Sequence, residues 1–346
     1  MFWIVGGGAI VEIFSKRFDS PAAAWIQSQL KHVAWEGFHF EDLIMPLFLF
    51  LVGVVMPFSF DKRLAEGASK LKLYRHILVR VVLLWILGMI KQGNLLAYDL
   101  NSLKLYSNTL QAIAAGYLIT AIIILHFKAG LQYLSFIGLL LGYWALLAWV
   151  QVPGGEAGRL TPDGNLAIYV DKLILGRFQD GTPYTWIVSS MVFAATVLMG
   201  VFSGRFLKRD ISGSYRAAGL VFAGLSCVLV GWVWDGWFAI IKHLWTSSFV
   251  LYSGGMCMIL LGLFYLVIDV WGWKKWAYGF VVIGANAIVA YMADCVFDLW
   301  GIANRFVGGL DRWTGDWTNL VHAMAAFAVL WVGLWFLYRH RLFVKL

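Results

Sequence analysis

The chain is 346 residues long, 61% hydrophobic and only 13% charged, with a net charge of +8 and a mean hydropathy of +0.76. That balance lies outside the range of soluble globular domains and predicts an all-α, polytopic helical membrane protein. In this setting the basic excess reads as an orientation signal and as contact with anionic lipid headgroups; no nucleic-acid-binding module is suggested, so nucleic acid is not an expected partner.

The opening run, MFWIVGGGAIVEIF, offers about 14 residues before Ser15, Lys16 and Arg17, fewer than the ~20 a spanning helix needs. It lacks the basic n-region and small-residue cleavage site of a signal peptide. It counts as the first of about ten spans, either re-entrant or the end of a longer one whose upstream residues are missing. A polar segment, 15 to 42, leads into a second span at 43 to 60. Further apolar runs follow at 76 to 96, 109 to 127, 131 to 150, 186 to 204, 215 to 236, 246 to 268, 278 to 299 and 318 to 338. No Pro/Ser-rich linker, internal repeat or soluble insert interrupts them, so residues 1–346 read as a single membrane domain.

Orientation follows from the loops, because cytoplasmic loops collect Lys and Arg. With both termini cytoplasmic, the inside segments hold Lys62, Arg63, Lys70, Lys72, Arg75, Arg80, Lys128, Arg205, Lys208, Arg209, Arg216, Lys274, Lys275, Arg339, Arg341 and Lys345, while most acidic residues fall outside. The longer loops, 15 to 42, 91 to 108 and 151 to 185, are also outside, which places recognition or chemistry there. The last of these reads as an ordered cap with one short helix around NLAIYVDKLIL, from which Ile168, Leu173 and Leu175 pack downward.

Polar groups at membrane depth are costly and usually face a cavity or one another. Asp42 and Glu41 stand at the outer end of the second span, Gln111 near the outer end of the fourth, Lys242 just before the eighth, and Asp294 and Asp298 in the last turns of the ninth. His32 precedes the second span closely enough to fold back over the same mouth. The set predicts a shared outward-facing cavity, although each residue alone also suits the headgroup region. By residue type, His32 is a general base, a nucleophile, a metal ligand or an ordinary capping residue. His39 is seven positions away and no third ligand is spaced for zinc, so no metal is expected. Asn286 is either interhelical glue or a ligand contact. Lys242, His243, Trp245 and Thr246 read as an aromatic belt and an N-cap, which leaves Lys242 unexplained on the outside. Arg75 and Arg80 either grip phosphates or follow the positive-inside bias. Cys227, Cys257 and Cys295 fall within spans and read as buried small apolar side chains.

Several blocks in order carry a resemblance: Lys31, His32, Trp35, Gly37, Asp42, Leu43, Pro46, Phe48, Phe50 and Gly53 around the second span, then MFWIVGG, LQAIAAGY, AIYVDKLILG, MGVFSGRFL, KHLWTSSFVL and GANAIVAY. Together they resemble the heparan-alpha-glucosaminide N-acetyltransferase family, including its bacterial inner-membrane homologues. The chain departs from the family pattern at Ala239 and Ile241, where Pro and Asn are usual.

The resemblance implies a membrane acetyltransferase that moves the acetyl group of cytoplasmic acetyl-CoA to the amine of a glucosamine-type sugar or glycan terminus, with His32 as its active-site residue on the periplasmic side. Asp42 or Glu41 would orient the imidazole. Gln111, Lys242 and Asn286 become candidates for the donor, with Arg75 and Arg80 for its phosphates. Trp35, Glu36, Glu41 and Trp245 become candidates for the acceptor. Membrane lipid and a second copy of the chain are further expected partners. The competing class is an amino-sugar transporter that modifies nothing.

Overall fold

The computed structural model describes residues 1–67 and 69–344; Lys345, counted above among the inside cations, lies outside the described residues. Its helices are, in chain order, α1 (Gly8–Ser15), α2 (Pro21–Gln29), α3 (Ile44–Ala65), α4 (Lys70–Lys91), α5 (Thr109–His126), α6 (Ala129–Trp149), α7 (Leu166–Leu175), α8 (Ser190–Leu207), α9 (Gly213–Asp235), α10 (Ser247–Tyr265), α11 (Tyr278–Ala285), α12 (Ala287–Val296), α13 (Leu299–Val307), α14 (Asp311–Thr314) and α15 (Thr318–Arg339). Eight helices are long and apolar enough to cross a membrane, and α11 with α12 adds a ninth if that bent pair is one span. The opening run, Trp3–Ser15, is shorter. The chain is a multi-pass helical membrane protein.

Contacts divide the chain into two compact units. The second unit comprises Val33–Phe38 and Asp42–Val270. Its spans differ sharply in enclosure: α8 is 67% buried and α5 61%, against 22% for α6 and for α9. The first two are therefore central and the last two peripheral. On α9, Phe222, Leu225, Leu229 and Trp232 are all exposed, a helical-period stripe whose natural solvent is lipid.

The centre is held by close backbone approach. A Cβ added at Gly53 of α3 would lie 1.9 Å from the carbonyl oxygen of Val197, one at Gly200 2.0 Å from that of Phe50, and one at Gly204 2.3 Å from that of Val54. Gly200 and Gly204 are four apart on one face of α8, the small-residue spacing that lets membrane helices pack backbone to backbone.

The short helix expected around NLAIYVDKLIL forms as α7, where Asn165 caps it by accepting the Ile168 N–H at 2.8 Å. Ile168 and Leu175 are buried. Leu173 is 70% exposed, a correction: on a ten-residue helix it falls on the face opposite Ala167, Ile168 and Asp171.

The first unit comprises Met1–His32, His39–Glu41 and the chain from Trp271, with a core of Val282, Ile283, Ala290, Leu330 and Leu334 flanked by Phe2 and Phe327. Here the ninth span is broken by 61° between α11 and α12. Asn286 sits at the break, fully buried, donating from Nδ2 to the Leu342 carbonyl at 3.1 Å and accepting the Val344 N–H on Oδ1 at 3.0 Å. Its amide thus ties the break to the segment that follows α15. The break also ends the span early: Asp298 caps α13 by accepting the Gly301 N–H at 2.9 Å instead of ending the ninth span. Cys295 is exposed and Cys227 half-buried, so only Cys257 is the buried thiol expected.

Gly200→Ala is expected to lower the melting temperature of the purified protein, as overpacking of about 1–3 kcal/mol requires. Alanine at the exposed Gly130, where an added Cβ meets nothing within 4 Å, is the control.

Candidate functional site

In the second unit the segment before α3 runs beside the loop that joins α9 to α10. Glu36 and Ile241 form an isolated antiparallel bridge, and the Gly37 N–H donates to the Ile240 carbonyl at 2.8 Å. Gly37 takes φ +112°, a conformation that favours glycine. This pairing seats Asp42 against Lys242. Asp42 Oδ1 lies 3.2 Å from Lys242 Nζ, with side chains 1% and 6% exposed, and Asp42 Oδ2 accepts the Val33 N–H at 3.3 Å. The buried Lys242 charge, unexplained by the sequence alone, is balanced by a buried carboxylate.

Beside the pair, the buried His243 ring stacks on Trp35 at 5.2 Å and 19° and meets the Tyr184 ring at 4.4 Å. Lys242 Nζ lies 5.9 Å over the Tyr184 ring. The loop that presents these groups is held at its carbonyls. His243 O accepts from the Thr185 N–H at 3.0 Å and from its hydroxyl at 3.1 Å. Leu244 O accepts the hydroxyls of Tyr143 and Ser189. Thr246 caps α10, accepting the Phe249 N–H, as its sequence position predicts. Trp245 is held at φ +54°, a conformation that a bulky residue keeps only where its surroundings over-determine it. Burial raises the Tyr184 phenol to about 12, with the Asp42 and Asp180 charges adding to the effect. It is therefore a neutral hydrogen-bond donor at physiological pH.

The cap is anchored by a second buried carboxylate. Asp171 accepts the Trp186 N–H on Oδ2 at 2.7 Å and the Ile187 N–H on Oδ1 at 2.9 Å. Burial raises its carboxyl to about 6, against the opposing pull of those two bonds and with a smaller push from Asp180. Asp180 Oδ2 accepts the Trp186 indole N–H at 3.1 Å, and the Trp186 ring stacks on Tyr106 at 5.1 Å.

The remaining sequence candidates separate. Trp35 joins the cluster and donates its indole N–H to the Leu160 carbonyl at 2.9 Å; Glu36 is exposed on the bridge. Gln111 is fully buried, but its amide braces the preceding loop, accepting from Ser107 N at 2.9 Å and donating to Leu105 O at 2.6 Å. Trp245, expected at a substrate surface, is core: 1% exposed, bonded to Thr196 Oγ1 at 3.0 Å and packed on Phe193 and Phe249. Arg75 is exposed. The Arg80 guanidinium lies 4.6 Å over the Tyr117 ring, and its buried Nε has no hydrogen-bond partner. His32, Glu41 and Asn286 belong to the first unit. There His32 is exposed, and the neighbouring His39 places Nδ1 2.9 Å from the Lys31 carbonyl oxygen. Among the described residues no group of three or more His, Cys, Asp or Glu is arranged to hold a metal.

Tyr184 and Thr185 were not among the sequence candidates. Their only signal is position, at the end of the loop that leads from α7 into α8.

Lys242→Met is expected to cost about 3–5 kcal/mol by leaving Asp42 buried and unpaired, whereas the double variant Asp42→Asn/Lys242→Met recovers most of the loss in denaturation experiments. For Asp171 the folded state binds its proton more tightly than the unfolded chain does. Its contribution is complete below pH 3.8 and is lost as pH rises through about 6, on the order of 3 kcal/mol. Melting temperature measured between pH 4 and 7 is expected to show that fall, and Asp171→Asn to remove it while lowering stability overall, since its amide N–H₂ meets a backbone N–H.

No family model matches the chain. Two curated proteins are similar to it, both named heparan-alpha-glucosaminide N-acetyltransferase. The one from Mus musculus is 25% identical over 382 aligned residues, covering 91% of this chain and 56% of the relative. The one from Homo sapiens is 26% identical over 332 residues, covering 78% of this chain and 49% of the relative. The chain thus spans about half the length of the curated relatives it matches. The similarity to proteins of that name runs along most of this chain's own length.

Proposed function

We propose that the chain is an acetyl-CoA-dependent N-acetyltransferase acting on the amine of a glucosamine-type sugar. The observation that carries this reading is the buried Asp42–Lys242 pair with Tyr184 and His243 against it, of which Lys242 and His243 open the KHLWTSSFVL block that carries the family resemblance. A fixed ammonium and a neutral phenol are the donors that a tetrahedral oxyanion needs, and burial strengthens both.

In the reaction the sugar amine attacks the thioester carbonyl, the C–N bond forms, and the C–S bond breaks. One proton leaves the nitrogen and one reaches the departing thiolate. His32 is the group assigned to that transfer, either as general base for direct attack or as a nucleophile that first holds the acetyl group on its imidazole. The donor's phosphates are assigned to Arg80, midway along α4, whose unsatisfied Nε suits an anionic oxygen, with Arg75 nearer the start of the same helix. In this reading both termini are cytoplasmic, acetyl-CoA enters from that side, and the His32 segment faces the periplasm of a bacterial inner membrane.

Purified protein given labelled acetyl-CoA and glucosamine is expected to form N-acetylglucosamine, and a folded His32→Ala variant to be slower by roughly 10²–10⁴-fold. Undiminished transfer by that variant would overturn the assignment of His32. Counterflow of labelled sugar through proteoliposomes without acetyl-CoA, with no acetylated product, would replace the enzyme reading by transport.

A further inference from the structure

The first unit contains a cavity of about 490 Å³, within the range of sites for small organic ligands. It exists because neighbouring backbone bends away and small residues fail to fill the gap. The ninth span breaks by 61° at Asn286, and the opening run leaves helical geometry at Val5 and at Gly6, which takes φ +127°. Ala290, Ala323, Ala326 and Leu330 form a buried floor, whereas Asp294, Cys295 and Asp298 on the lining are exposed. One end of the cavity is therefore apolar and closed, and the other is open and carries carboxylates.

The lining contains no Lys, Arg or His. Asp298 already gives one oxygen to the Gly301 N–H, and Asp294 Oδ1 has the weak Cys295 thiol at 3.9 Å among its contacts. A ligand with an apolar body and a cationic head matches both ends. A phosphate or carboxylate would meet two like charges, and a sugar would leave its hydroxyls against alanine and leucine.

We propose that this cavity binds an amphipathic primary ammonium, an apolar chain seated on the Ala290–Leu330 floor with its –NH₃⁺ against Asp294 and Asp298. The site lies wholly within the first unit and does not depend on the acetyltransferase reading. Its thiol supplies the readout, because Cys295 is exposed whereas Cys227 is half-buried and Cys257 buried.

Protein carrying Cys227→Ala, in phosphatidylcholine nanodiscs at pH 7, would be labelled with N-ethylmaleimide and the Cys295 adduct followed by intact mass. Dodecylamine is expected to slow labelling at roughly tenfold lower concentration than its neutral isostere dodecanol, as one charge-assisted contact requires. Asp294→Asn, with protection taken relative to its own unliganded rate, is expected to bring the two probes together. Ala9→Phe enters the cavity from an exposed lining position and is expected to abolish protection by both, its fold checked by an unchanged melting temperature. No protection, equal protection by amine and alcohol in the parent protein, or full amine selectivity in Asp294→Asn would each overturn the proposal.

Discussion

The buried ion pair between Asp42 and Lys242 is the constraint around which the candidate site is organised. Two charges taken out of water cost more than their attraction returns unless both are held in place and the remaining lone pairs are bonded. Asp42 meets that condition by accepting from Val33 N. Lys242 meets it because its loop is pinned through the carbonyls of His243 and Leu244. Once the pair is fixed, the segment before α3, the loop before α10 and the end of the loop before α8 lie together, and Trp35, Tyr184 and His243 are neighbours.

Beneath that polar layer the second unit uses the opposite device. Gly53, Gly200 and Gly204 let α3 and α8 touch through backbone, beside a core of large aromatic side chains that includes Phe50, Phe193, Trp245 and Phe249. Helices such as α9, with an apolar stripe facing outward, supply the lipid-facing wall. Close backbone packing and a buried, bonded charge pair thus occur in the same unit.

Much of this was legible in the residues. The apolar runs located eight long helices, the turn signals and NLAIYVDKLIL located α7, and Lys242 stood out as a residue that the expected charge bias left unexplained. Other expectations were overturned by packing. Gln111, polar and near a helix end, spends its amide on its own loop. Trp245 is consumed by the core. Leu173 faces outward and Cys295 is exposed, because a short helix and a broken one do not bury all their apolar positions.

Composition and periodicity alone determined that the chain is an all-helical, multi-pass membrane protein, since the cost of unsatisfied backbone in lipid leaves few alternatives once such runs are present. Which polar residues meet was decided only in three dimensions. The partners of Asp42 are Val33, nine positions away, and Lys242, two hundred positions away, and Tyr184 reaches the same place from the cap. Pairings at that separation depend on how the loops return over the bundle, and helical period carries no record of it.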